Sequence, residues 1–315
     1  MYKNKDVMDD YSTYISNTTA LENHKEKISK KIRDLLSEKA TSRIFHYTSA
    51  VGLRSILESS ELWFTKWNCL NDTSEYKIVH SLIEDCLHEF EEDNDFVNLI
   101  RNYNSSELAT KNNGVRWNLE HNIFILSFSS ARDRLNMWNY YTKSTESDGY
   151  SIQFDNFPFT PNDENHLINI SSVIYNENRQ KEIVRELLQE LYNSYKNEEL
   201  SKGGCDERDM IMVHLYDSVV SNIGCLLKHP AFKDEDEVRA ILHLKQGSEK
   251  KIQYRTSKGI IVPYVAVSFD RNSISDIMLS PSLTNKNAIM GIRDFRNNQK
   301  CHFSISQSNI PFRNM

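Results

Sequence analysis

The chain has 315 residues, a formal net charge of −6, 15 Tyr and 14 Phe, but only 9 Gly and 6 Pro. This length and composition support one large or two modest packed cores, and exclude collagen-like, low-complexity and disordered classes. The acidic balance excludes bulk electrostatic attraction to nucleic acid, so a nucleic-acid partner has to be held by a local patch.

The five cysteines, Cys69, Cys86, Cys205, Cys225 and Cys301, are odd in number and never spaced as CxxC. Neither a disulfide framework nor a thiolate zinc site is expected, which fits a cytoplasmic protein. Met1 to Asp10 carry no apolar leader, and no apolar run is long enough to span a bilayer, so no membrane partner is expected.

In chain order, Ile28, Ile32, Leu35 and Leu36 recur at helical spacing, which predicts an amphipathic helix from Leu21 to Ala40 and an N-terminal helical extension over 1–40. Its Lys25, Lys27, Lys30, Lys31 and Arg33 read first as a solvated helix face. Arg43-Ile-Phe-His-Tyr-Thr-Ser49 reads as a short strand, Val51 to Leu57 as a helix and Glu61 to Thr65 as a second strand. A helix is predicted over Ser74 to Phe96, running into an exposed acidic tract, Glu89 to Asp95. Asn122 to Ser129 and Gly149 to Asp155 read as strands with a short helix or turn, Arg132 to Tyr141, between them.

Ile168 to Tyr175 is a further strand, followed by helices over Asn178 to Lys196 and Glu207 to Leu227. Strands return at Glu237 to Leu244, Gly259 to Val267, Ile274 to Leu279 and Cys301 to Ser306. Strands early and late with helices between predict an α+β fold whose sheet is assembled from distant segments. The expected organisation is one domain over 41–315 with helical insertions near 74–100 and 178–227. Neither GxGxxG nor GxxxxGK[ST] occurs, so a nucleotide would be bound in another way.

Three groups could carry chemistry. His46 and Tyr47 end a strand just before a helix, a junction where backbone N–H groups are available to phosphate. In Asp234-Glu-Asp-Glu-Val-Arg-Ala-Ile-Leu242, period-two geometry puts Glu235, Glu237 and Arg239 on one face and Val238, Ala240 and Leu242 on the other. Arg239 beside Glu237 would keep that carboxylate ionised, though a surface ion pair on an edge strand reads equally well. Trp138 and Tyr141 offer aromatic surface for a flat ring, or a core cluster. His80, Glu84 and His88 share helical spacing, but no further ligand is evident and no metal is expected. The absence of GxSxG disfavours a serine nucleophile.

The ordered series FHYTS, ILESSELWFT, Asn71-Asp72 with Glu75, ILSFS, MWNYY, DGYSIQFD, LLKHPAFKDEDEVRAI, Val262-Pro-Tyr264 and Ser308-Asn-Ile-Pro-Phe-Arg313 resembles a bacterial domain family of unknown function. That family is in turn similar to a remote branch of the ADP-ribosyltransferase superfamily, including DarT-like toxins. The resemblance implies a split β-sheet core and an NAD-dependent mono-ADP-ribosyltransferase, a toxin or phage-defence effector acting on nucleic acid, RNA ahead of DNA, or on protein. By the same resemblance His46 would bind a ribose hydroxyl of NAD, Tyr47 and Thr48 would support that wall, and Trp138 and Tyr141 would pack on nicotinamide. Glu237 would be the catalytic carboxylate, with Glu235 as the alternative; His46 would act with it in catalysis, and Arg239 would join the cofactor-binding residues. The superfamily's middle Ser-Thr-Ser motif has no evident counterpart, and the aromatic W-x-x-Y stands in its place. The N-terminal helix would suit an antitoxin protein or a structural brace. A non-catalytic nucleotide sensor and an RNA-cleaving toxin are the alternative functions.

Overall fold

The computed structural model describes residues 19–36, 43–70, 75–104, 123–141, 149–163, 165–197, 205–245, 248–249, 251–257 and 259–311. Asn71-Asp72, Asp148 and the final Phe312-Arg313 of the quoted motifs lie outside them. The α-helices are α1 (Thr19–Leu36), α2 (Ala50–Ser59), α3 (Glu75–Leu87), α4 (Asn94–Asn104), α5 (Leu135–Tyr141), α6 (Glu177–Tyr195), α7 (Cys205–Ile223) and α8 (Lys286–Asn298). The strands are β1 (Ile44–Ser49), β2 (Glu61–Lys66), β3 (Ile123–Ser129), β4 (Gly149–Phe154), β5 (His166–Ser172), β6 (Glu237–Leu244), β7 (Gln253–Ser257), β8 (Ile260–Ser268), β9 (Ile274–Leu279) and β10 (Ser304–Gln307). The architecture is mixed α+β.

Two compact units divide the chain. One holds 1–38, 71–123 and 174–230, the other 39–70, 124–173 and 231–315. The three helical stretches that look separate in sequence therefore belong together. Ile28 and Ile32 of α1, Val79 and Ile83 of α3, Leu187 and Leu191 of α6 and Leu215 and Val219 of α7 share one core. The predicted helix over Ser74 to Phe96 is interrupted. Helix α3 ends at Leu87, a 3-10 turn covers His88–Phe90, and α4 restarts at Asn94. The break is built by the acidic tract itself: Asp93 Oδ1 accepts from the Phe96 amide at 3.2 Å, while Glu89 accepts from Arg185 at 2.7 Å and Phe90 is buried.

The second unit carries the sheet, in the order β10-β9-β4-β1-β3-β2-β8-β7, with β6 paired to β3 and β5. Strand β10 runs parallel to β9, while β1–β3, β1–β4, β2–β3, β2–β8, β4–β9, β5–β6 and β7–β8 are antiparallel. Strand β3 meets β1 at Ser129 and β2 at Ile125, so the sheet forks along it with Ser127 between the two pairings. Alternation sends Phe124, Leu126 and Phe128 of β3 and Val238, Ala240 and Leu242 of β6 into one apolar core. Strand β7 and helix α8 were not anticipated. Residues of β7 are exposed or half-buried without apolar alternation, and α8 buries fully only Ile292.

Between β1 and β2 the chain turns tightly. Ser49 caps α2 by accepting the Gly52 amide at 3.2 Å, and Ser60, at φ 55°, ends it with its N–H on Ile56 O. A Cβ at Gly52 would come within 2.1 Å of Thr48 Oγ1. Gly52→Ala is therefore expected to lower stability by about 1–3 kcal/mol through overpacking. In a Thr48→Ala background, removal of that contact should turn the same change into a gain of up to about 1 kcal/mol from helix propensity. Urea denaturation of the four proteins checks it; equal effects in both backgrounds would refute the steric origin.

Candidate active site

The start of β6 builds the site. Asp236 adopts φ 42°, a left-handed conformation that Asp tolerates better than most residues, and ends the preceding 3-10 turn, Pro230–Glu235. Glu235 is thus not on the β6 strand face, as period-two reasoning expected, but precedes it on the turn. The kink is held from several sides. Ser129 Oγ donates to Glu235 O at 2.7 Å, the Ser130 amide to Asp236 O at 2.8 Å, and Arg134 pairs with the Asp236 carboxylate at 2.6 Å.

Both glutamates are buried at the wall of a cavity of about 430 Å³ within the strand-bearing unit. Glu237 is 5 % exposed and Arg239 1 %. Arg239 Nε donates to Glu237 Oε1 at 2.9 Å and Arg239 Nη2 to Oε2 at 3.0 Å. This is a buried, two-pronged pair, not a surface one. Ser127 Oγ adds a third bond to Oε1 at 2.5 Å. The Ser127 carbonyl, at the fork of the sheet, receives His46 Nδ1 at 3.1 Å. One residue of β3 thereby joins the imidazole of β1 to the carboxylate of β6.

His46, Tyr47, Thr48, Tyr141, Glu235 and Glu237 all line this cavity. Burial holds the His46 imidazole below the ordinary histidine range, against the raising effect of the Ser127 carbonyl, so the ring is neutral near pH 7. Tyr141 donates its hydroxyl to Glu235 Oε1 at 3.1 Å, and burial, then the Glu235 and Glu237 charges, push its pKa far up. It stays a neutral phenol.

Two of the expected cofactor-binding residues, Trp138 and Arg239, do not line the cavity. Trp138, 3 % exposed, is not part of the lining; it packs edge-on to Tyr47 at 4.8 Å and donates to Asp133 Oδ1 at 2.7 Å. The Tyr47 ring shares that cluster with Phe45, Met137 and Met278, and its hydroxyl donates to the carbonyls of Ala131 and Arg132, both at 2.9 Å. Arg239 is likewise set behind Glu237 instead of lining the cavity. The terminal motif feeds the same cluster: Ser308 Oγ donates to Asp133 at 2.8 Å and Ile310 packs beside it.

Residues 137–240 match the model of the family described as protein of unknown function, DUF2971. No curated protein and no solved structure matches the chain. The matched span starts within α5 and ends midway along β6, so it contains Trp138, Tyr141, Glu235, Glu237 and Arg239 but not His46 or Ser127. Ser127 is the functional candidate that sequence reasoning missed. Its signal was a polar residue, followed by Ser129, on the Ile123, Ile125 face of a strand that is apolar up to that point.

Among the described residues no group of three or more His, Cys, Asp or Glu side chains is arranged to hold a metal ion. His80 instead pairs with Asn104, and Glu84 takes Arg101 at 2.7 Å. Among the described residues no helix is long and apolar enough to cross a membrane.

A pH effect follows from the histidines. Burial lowers His46 below 6.5 and His243, on β6, to about 4. As pH falls from about 6.5 the unfolded chain binds these protons first, so stability present above that pH is lost on acidification. The urea midpoint is expected to drop between about pH 7 and pH 4.5, and less so in His243→Gln. Identical pH profiles for the two proteins would discard His243 as a contributor.

Proposed function

We propose that this chain is an NAD-dependent mono-ADP-ribosyltransferase with a split-sheet core, modifying nucleic acid, RNA ahead of DNA, or protein in a toxin or defence role. The observation that carries the reading is the hydrogen-bonded path from His46 through Ser127 to Glu237 on the wall of one cavity. The resemblance calls for a serine between the histidine and the glutamate, and Ser127-Phe-Ser129 meets it better than the aromatic W-x-x-Y. The cavity volume falls in the range of small-molecule sites, and its walls mix apolar side chains with many polar and charged ones.

NAD as co-substrate would supply an ADP-ribosyl group whose transfer builds positive charge on the ribose as the nicotinamide bond breaks. Glu237 is the group to meet that charge. Ser127 and Arg239 fix its carboxylate before the substrate arrives, so little reorganisation remains for the chemical step. His46, neutral and anchored through Nδ1, presents its other ring nitrogen as a hydrogen-bonding partner for a sugar hydroxyl. Glu235, bonded to the Tyr141 hydroxyl, sits where an acceptor group could lose its proton. The two-pronged Arg239 pairing suits a charge-stabilising carboxylate better than a proton donor, which sets the RNA-cleaving reading behind this one.

The test is release of nicotinamide from NAD by the purified chain, alone and with cellular RNA, DNA or lysate protein. Release dependent on one acceptor class is expected. NAD-dependent thermal stabilisation without release under any condition would instead establish a nucleotide sensor, and shortened RNA with no NAD present an RNase.

A further inference from the structure

The carboxylate end of the cavity is already supplied with a cation, because Arg239 donates to both carboxylate oxygens of Glu237. The wall to which β2 contributes Trp63 and β7 contributes Arg255 is different. Arg255 on β7 is the one lysine or arginine among the described lining residues, which also include the carboxylates Glu61, Glu235 and Glu237. Its Nη2 donates to Thr65 Oγ1 at 3.0 Å, while its Nε is buried and makes no hydrogen bond. Among the described residues no carboxylate is paired with it. A guanidinium held at a cavity wall without a counter-ion carries a desolvation cost that an anionic ligand would offset.

The neighbouring group is a flat aromatic shelf. Trp63 lines the cavity and stacks on Tyr264 with centroids 4.3 Å apart and planes at 27°. Tyr264 is fixed in turn by donating to Gln253 Oε1 at 2.9 Å. Strand register sets Thr65 opposite Tyr264, and Tyr264 opposite Gln253, so these side chains and Trp63 share one face. Phe64, from the other face, enters the core. Trp63 remains 40 % exposed although it is a large aromatic residue, and the Arg255 guanidinium carbon lies 6.0 Å from its ring centre. An open indole beside an uncompensated guanidinium matches a ligand that joins a flat base to a phosphate.

We infer that Trp63 and Arg255 form a base-and-phosphate subsite for a nucleotide, with the base on the indole and phosphate oxygens on the guanidinium. The inference deepens, and rests on, the reading of the cavity as a nucleotide-using active site. The phosphate has two sources, the diphosphate of the co-substrate or the backbone of a nucleic-acid acceptor.

The experiment is calorimetric titration of the full chain with ADP, adenosine and a single-stranded RNA oligonucleotide, in the native protein and in Arg255→Met, Arg255→Lys and Trp63→Ala. Nicotinamide release against NAD concentration is followed in parallel. Arg255→Met should weaken ADP about tenfold or more and leave adenosine unchanged, as loss of a charge-assisted bond requires. Arg255→Lys should recover part of the ADP affinity, and Trp63→Ala should weaken ADP and adenosine alike. A matching rise in the KM for NAD assigns the phosphate to the co-substrate; weaker RNA binding at unchanged KM assigns it to the acceptor. ADP binding that is native-like in Arg255→Met, or absent from the native chain together with RNA binding, overturns the subsite. If that happens while native nicotinamide release persists, the transferase reading stands alone. Arg255-dependent ADP binding without release under any condition leaves the subsite standing and removes the transferase.

Discussion

Replacing Glu237 by glutamine is expected to reduce acceptor-dependent nicotinamide release by about 10²–10³-fold, the usual consequence of losing one preorganised electrostatic stabiliser. Glutamine keeps the shape of the side chain and can still accept from Ser127 and from one prong of Arg239. What it loses is the negative charge. The loss should therefore fall on kcat, with the KM for NAD changed little, because the interaction grows only as charge develops in the transition state. Steady-state kinetics on the acceptor found to support release provide the check. Near-native kcat in Glu237→Gln would remove Glu237 from the chemistry and pass the role to Glu235, whose own glutamine variant belongs in the same assay.

The second large effect concerns stability. Arg239→Met leaves the Glu237 carboxylate, 5 % exposed, with the Ser127 hydroxyl but without its guanidinium. Breaking one side of a buried pair costs about 3–5 kcal/mol, because the remaining charge loses the opposite charge that offset its desolvation. The double variant Glu237→Gln, Arg239→Met removes both charges and should recover much of that loss. Chemical denaturation of the native chain, the two single variants and the double one yields the coupling directly. Simple additivity would mean that the pair contributes nothing jointly. Recovery of stability in a double variant that still releases no nicotinamide would separate the structural role of Arg239 from the chemical role of Glu237.

The parts of the fold that could be read in the sequence are those whose burial is one-sided and regular. Strands β1, β3, β4, β6, β8 and β9 announce themselves through apolar runs or alternation, and Val238, Ala240 and Leu242 enter the core as period two requires. Strand β7 and helix α8 bury too little apolar surface to leave such a pattern, so the edge that carries Arg255 could not be foreseen. At the site, His46, Glu237 and Arg239 stood out because polar groups interrupt apolar strands. Ser127 did not, since a serine in a strand is ordinary until a carboxylate 110 residues away closes on it. Position within a motif also misleads about direction. Trp138 and Tyr141 are neighbours on α5, yet Tyr141 faces Glu235 while Trp138 turns to Asp133.

The Asp133 carboxylate has a further meaning for truncation. It collects the Trp138 indole, the Ser308 hydroxyl and the Asn309 amide, so the segment after β10 and the short helix bearing Tyr141 hang on one side chain. A stop codon just before Ser304 would delete a marginal strand by length alone, but it would also strip Asp133 of two of these donors and release the aromatic cluster behind the cavity. Removal of Ser304 and the residues after it should therefore cost the site its packing, not act as harmless trimming.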